Sequence, residues 1–170
     1  DFCLSRGLGD VYKRQDENEH KAILEAEGIN RWLKTNPAGW YGPHPSHYAP
    51  TLVLVEGGFD RLALMAAGLP QNAIVALVGT TARLDWIIRY APQVQRIVLA
   101  LDGDEGGMDA TERFADEFGE AGFAVTSCPS LQDGWGKDWN ERWRRCGKSG
   151  IFPLLDLLTT NELIQKENSP

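Results

Sequence analysis

Four short apolar runs punctuate the middle of the chain: TLVLVEG (51–57), AIVALVG (73–79), RIVLALDG (96–103) and FAVTSCP (123–129). The first three are nearly continuous rather than alternating, which is the pattern of a buried strand covered on both faces, and the last predicts a fourth strand. The segments between them carry a helical signal. DRLALMAAG (60–68) is rich in helix formers and ends at Gly68, a residue suited to a C-terminal cap. TARLDWIIRYAP (81–92) is amphipathic and stops at Pro92, and MDATERFADEFGEAG (108–122) sets Phe114 and Phe118 one turn apart on one face. KDWNERWRRCG (137–147) and IFPLLDLLTTNELIQKE (151–167) predict two further helices. Strand and helix in alternation with short connections predict parallel βαβ units with right-handed crossovers. The expected architecture is α/β, an open, mostly parallel four-stranded sheet with helices on both faces.

Upstream of this rhythm the pattern changes. ENEHKAILEAEGINRWLK (17–34) predicts a helix with a break at Gly28. TNPAGWYGPHPSHYAP (35–50) holds four prolines and two glycines and predicts a loop or linker leading into the core domain. The first fifteen residues, DFCLSRGLGDVYKRQ, carry neither period; they resemble translated adapter sequence and are expected to be a non-native leader, with the native protein continuing upstream. The expected organisation is thus a leader (1–15), a helix and proline-rich linker (16–50), a catalytic domain (51–150) and a C-terminal helix (151–170).

The chemistry collects where the strands end. Ligands of open parallel sheets bind outside the carboxyl ends of the strands. Glu56 closes the first run, Gly79 and Thr80 the second, and Asp102 and Asp104 the third. Residues two apart in an extended segment point the same way, so Asp102 and Asp104 are expected to aim at a common point that Glu56 joins. Carboxylates crowded to about 4 Å repel by about 4 kcal/mol per pair at an effective dielectric near 20, and a divalent cation reverses the sign. All-oxygen ligands suit Mg2+ or Mn2+. The "GTT" at 79–81 opens a predicted helix and offers amide groups to a phosphate, with Thr80 or Thr81 as cap.

Composition narrows the field only a little. The 170 residues carry a net charge of −7, so no global basic field marks nucleic-acid binding, although KDWNERWRRCGK (137–148) concentrates Lys137, Arg142, Arg144, Arg145 and Lys148. Cys3, Cys128 and Cys146 lie far apart, without zinc spacing, as expected in a reducing cytoplasm. No apolar run reaches the roughly 18 residues of a membrane span, and no membrane partner is expected. CGKSG (146–150) imitates the end of a P-loop, but the first glycine that motif requires falls on Arg142. There is no GxGxxG, and His20, His44 and His47 lie outside the predicted sheet.

Together these stretches resemble the Toprim domain, the metal-binding fold shared by bacterial-type primases, type IA and II topoisomerases and some nucleases. VEGGFD (55–60) resembles that family's first motif, and LDGDEGG (101–107) its Asp-x-Asp motif in the primase style. ALVGTT (76–81) resembles the primase segment between them. GKDWNE (136–141) resembles the late Lys-Asp-x-x-Glu-like stretch in primases of phages, plasmids and mobile elements. The resemblance implies Glu56, Asp102 and Asp104 as catalytic and metal-holding residues, with Glu56 as general base or acid and Asp60 and Asp138 as further metal ligands. It implies Gly57, Gly79, Thr80, Gly103, Gly107 and Lys137 around the nucleotide phosphates, and Arg142, Arg144 and Arg145 as a nucleic-acid-binding edge. Asn140 stands where many primases place another acid, which weakens a second metal site. The implied activity is Mg2+- or Mn2+-dependent nucleotidyl transfer, making RNA primers on single-stranded DNA from nucleoside triphosphates, with a replicative helicase as a further partner. The alternatives are a Toprim metal-dependent nuclease or a non-catalytic module that binds nucleic acid or a partner. A topoisomerase would need a nucleophilic tyrosine, and Tyr41, Tyr48 and Tyr90 have no supporting context. Without a zinc-binding template module or a helicase P-loop, the chain is expected to have little priming activity alone.

Overall fold

A computed structural model describes residues 40–79, 85–130 and 134–167 of the chain, all within the unit Pro37–Pro170. The expected leader, the helix over 17–34 and Thr80 and Thr81 lie outside the described residues.

The four apolar runs form β1 (Thr51–Val55), β2 (Ile74–Ala76), β3 (Arg96–Leu99) and β4 (Ala124–Ser127). They make one sheet in the order β2-β1-β3-β4, every adjacent pair parallel. Its helices are α1 (Gly58–Ala67), α2 (Asp85–Tyr90), α3 (Glu105–Glu120), α4 (Trp139–Cys146) and α5 (Phe152–Glu167). All four strands are shorter than the apolar runs that announce them. Beyond β2 and β3 the chain stays buried at Leu77, Ala100 and Leu101, and the Leu77 and Ala100 N–H groups still bond to the Val55 and Leu54 carbonyls of β1; β4, at the edge of the sheet, is exposed or half-buried along its length. Gly68 ends α1 in the left-handed conformation (φ 110°), where its N–H bonds back to Leu64 and Met65.

Alternation along each strand divides the core into two layers. Leu52, Leu54, Val75, Leu77, Ile97 and Leu99 face Trp86 and Ile87 of α2 and Phe114 and Phe118 of α3. Val53, Val55, Ile74, Ala76 and Val98 face Leu64 of α1, Trp139 of α4 and Leu154 of α5. Helices therefore cover both faces, and α5, the expected C-terminal helix, contributes Leu154 to the core.

The described part of the proline-rich stretch is a loop that docks on the sheet. Tyr41 pairs antiparallel with Ala76 at the outer edge of β2, with backbone N–H to O distances of 2.8 and 2.9 Å. Trp40 stacks on Trp86 at 4.1 Å, and Tyr48 is buried edge-on to the same indole. Prolines and glycines stop this segment from continuing as helix or strand, but its aromatic residues give it enough apolar area to dock.

Candidate metal and nucleotide site

β1 lies at the centre of the topology: the chain leaves it for β2 on one side, and β3 pairs with it on the other. After β1 it enters α1 on one face of the sheet; after β3 it enters α3 on the opposite face. The two connections part, opening a crevice between the carboxyl ends of neighbouring strands. Glu56 and Asp102 flank it. Both are half-buried, and both are shifted toward protonation. Burial raises Glu56, and the charges of Asp104 and Asp60 raise it further. Asp102 is pushed up to about 8, first by burial and then by Asp60, Glu56, Asp138 and Asp104. The five acids expected to hold metal thus share one electrostatic field.

They do not converge as a ready-made ligand set. Among the described residues no three His, Cys, Asp or Glu side chains stand together as a metal-holding group. The expectation that Asp102 and Asp104 share a direction assumed that the strand continues through them. β3 ends at Leu99, Asp102 is half-buried and Asp104 is exposed. Asp104 is the N-cap of α3, its Oδ1 accepting the Gly107 N–H at 2.8 Å. Asp138 caps α4 in the same way, accepting the Glu141 N–H on Oδ1 at 2.6 Å. Both caps are legible in the sequence as an acid three residues ahead of its partner, in the pattern of a helix start. Asp60 is 6% exposed. Its Oδ2 accepts the Gly57 N–H at 3.1 Å and its Oδ1 the Asn140 N–H at 2.9 Å. It ties the loop after β1 to the first turn of α4, and burial raises its pKa against the pull of these bonds. Asn140, noted for its neutral side chain, enters the site through its backbone.

Asp102 differs from the capping acids. Its Oδ1 is buried with no hydrogen-bond partner. A buried carboxylate oxygen left without a donor, in a field of four other acids, is costly unless protonated or met by a cation. This all-oxygen donor set fits a hard divalent ion. Gly107 shapes the same corner, because a Cβ there would overlap the carbonyl oxygen of Asp102. Gly57 is crowded too: a Cβ would stand 2.7 Å from Asp60 Oδ2. Beyond β2, Val78 and Gly79 take positive φ (55° and 116°), and the Gly79 N–H reaches the Glu56 carbonyl at 3.3 Å.

The basic helix α4 divides by face. Arg142, expected on the nucleic-acid edge, is 2% exposed; its Nε donates to the Gly150 carbonyl at 2.9 Å, and its guanidinium lies over the Trp135 and Trp139 rings. That part of the expectation is corrected: the i, i+3 spacing from Trp139 turns Arg142 to the buried face. Trp139 is itself buried, its Nε1 donating to the Ala100 carbonyl at 2.8 Å. Arg144 and Arg145 are exposed. Arg145 pairs with Glu141 at 2.6 Å, and with Lys137, Gly134, Gly136 and Asp104 it lines a recess of about 380 Å³.

The fold and this crevice define an α/β protein with a carboxylate site at the switch point of a parallel sheet. The model of the Toprim-like family matches residues 53–143, and the chain belongs to that family. It is 35% identical over 103 residues to the DNA primase of Mycoplasma pneumoniae, a stretch that is 59% of this chain and 16% of the relative. The solved Aquifex aeolicus primase, comprising zinc-binding and RNA polymerase domains, superposes with a TM-score of 0.52 at 25% identity, covering 63% of this chain and 25% of that one. The primase fragment of the bacteriophage T7 primase-helicase shares the fold, with a TM-score of 0.51 at 23% identity over 69% of this chain and 48% of its own. The chain spans about a sixth of the length of the curated relatives that it matches.

Proposed function

We propose that this chain is the catalytic Toprim portion of a DNA primase, carrying the divalent-ion site for nucleotidyl transfer that makes RNA primers on single-stranded DNA. The observation that carries this reading is Asp102: a half-buried carboxylate with an orphaned oxygen, pushed up to about 8 by burial and by the charges of four other acids. The primase names of its relatives support it. Asp102, Asp104 and Glu56 would hold Mg2+ or Mn2+, with Asp138 at the rim and Asp60 fixing the loop that presents Glu56. When bound, the ion neutralises the triphosphate and lowers the pKa of an attacking 3′-hydroxyl. Glu56, already shifted toward protonation, accepts the proton of that hydroxyl as its oxygen bonds to the α-phosphorus and pyrophosphate leaves. Lys137 and Arg145, beside Asp104 in the recess, receive phosphate oxygens. Arg144 lies along the path of the nucleic-acid backbone, with a replicative helicase as the partner of the whole polypeptide.

Glu56→Gln keeps the shape of the side chain but takes up no proton near neutrality. In the intact polypeptide that contains this segment it should remain folded and lose primer synthesis from ribonucleoside triphosphates on a single-stranded template. Synthesis at the wild-type rate would overturn the role of Glu56. Cleavage of the template without extension would give the site to a nuclease instead.

A further inference from the structure

A second feature stands at the same edge of the sheet. Phe59, in the first turn of α1, is 72% exposed, and Tyr41, beside the last residue of β2, is 47% exposed. With Leu62 they line an open cleft of about 320 Å³ whose floor is Gly58. Gly58, which lines the cleft, lies two residues after Glu56 in the chain.

Its construction is that of a slot for a flat ligand. The Tyr41 backbone is held by two hydrogen bonds to Ala76. Behind it, Arg61 is buried and anchored, Nε to the Ile74 carbonyl at 3.0 Å and Nη2 to the Gln71 carbonyl at 3.1 Å, and its guanidinium lies 5.1 Å from the centre of the Tyr41 ring. A cation on one face of a ring draws electron density toward it, leaving the other face receptive to an electron-rich partner. The floor carries no side chain: a Cβ on Gly58 would come within 3.5 Å of Tyr41 Cδ1. A fixed, polarised aromatic wall, a second aromatic wall and a bare backbone floor suit a planar heterocycle better than the branched aliphatic anchor of a protein partner.

We infer that Tyr41 and Phe59 form a stacking slot for an unpaired base of single-stranded nucleic acid, which positions the strand beside the carboxylate crevice. This rests on reading that crevice as a nucleic-acid site. The slot contributes grip and register, with no part in proton or phosphoryl transfer.

The test uses the full chain, Mn2+ and a short single-stranded DNA carrying one 2-aminopurine, whose fluorescence falls when the base stacks. Binding to the wild type should quench it. Phe59→Ala should abolish the quenching and weaken binding by roughly 5- to 100-fold, the range for losing one stacked base. Gly58→Ala should reduce both by narrowing the slot, and Phe59→Trp should retain both, which covers the case in which the alanine variant folds poorly. Wild-type quenching by Phe59→Ala would overturn the slot. Wild-type affinity of Phe59→Leu would make the cleft a merely apolar docking surface and overturn it as well. If the wild-type chain binds no DNA the slot falls, and a Mn2+-dependent rise in Tm then reports separately whether the carboxylate site stands.

Discussion

Asp102 concentrates the physics of the site. It releases its proton near the usual 3.8 in an unfolded chain but only near about 8 in the folded one. Between those values the folded state binds more protons than the unfolded, so stability falls as pH rises. The metal-free protein should therefore melt at progressively lower temperature from pH 4 to pH 8, and Asp102→Asn should flatten that slope. Mn2+ binding to the folded chain should raise Tm at pH 8 by linkage, and Asp102→Asn should remove most of that rise. Equal slopes and equal rises for the two proteins in scanning calorimetry would place the strained carboxylate elsewhere. Gly107 tests the same corner sterically. Gly107→Ala improves helix propensity yet forces a methyl onto the Asp102 carbonyl. Overpacking of this kind costs about 1–3 kcal/mol, to be read as a lower urea midpoint.

At the scale of an element, α4 shows how one short helix serves both core and surface. Its buried face carries Trp139, bonded to the Ala100 carbonyl, and Arg142, bonded to the Gly150 carbonyl. Arg142→Ala strands that carbonyl and removes the cation from between two indoles, a loss of about 1–3 kcal/mol visible in urea unfolding. The opposite face carries Arg144 and Arg145. The double change Arg144→Ala/Arg145→Ala should leave the urea midpoint within about 0.5 kcal/mol. It should lower affinity for single-stranded DNA and flatten its salt dependence by about one phosphate contact per arginine lost. Anisotropy titrations at several salt concentrations separate the two behaviours. Identical salt slopes for wild type and double variant would confine this helix to structure.

Across the molecule, the crevice exists because the chain reverses direction at β1 and sends α1 and α3 to opposite faces of the sheet. The segment before β1 belongs to this assembly. Its Tyr48 is buried, Trp40 stacks on Trp86, and Tyr41 extends the sheet beyond β2. A chain beginning at Thr51 should therefore be less stable than one beginning at Pro37 by roughly 3 kcal/mol or more, the usual cost of removing one large buried aromatic side chain. Comparing the two urea transitions checks this. Coincident midpoints would return the segment to the status of a linker.

The pattern of the chain by itself determined the sheet, its parallel sense and the alternation of helices. Strands buried on both faces must be continuously apolar, and the crossovers between them must be amphipathic. It also determined that acids crowd the carboxyl edge, since Glu56 and Asp102 each follow an apolar run directly and Asp104 stands two residues beyond Asp102. Only the tertiary structure decided what each acid does. Asp104 and Asp138 turn to cap helices, Asp60 ties two loops together, and among the described acids Asp102 alone is left with a buried oxygen unanswered. It likewise decided that Arg142 goes inside while Arg144 and Arg145 stay out, and that a proline-rich stretch docks on the core. Local spacing governs which backbone a residue can adopt. Which neighbour satisfies its charge or covers its apolar area depends on contacts made across large separations in the chain, as Asp60 and Asn140 show.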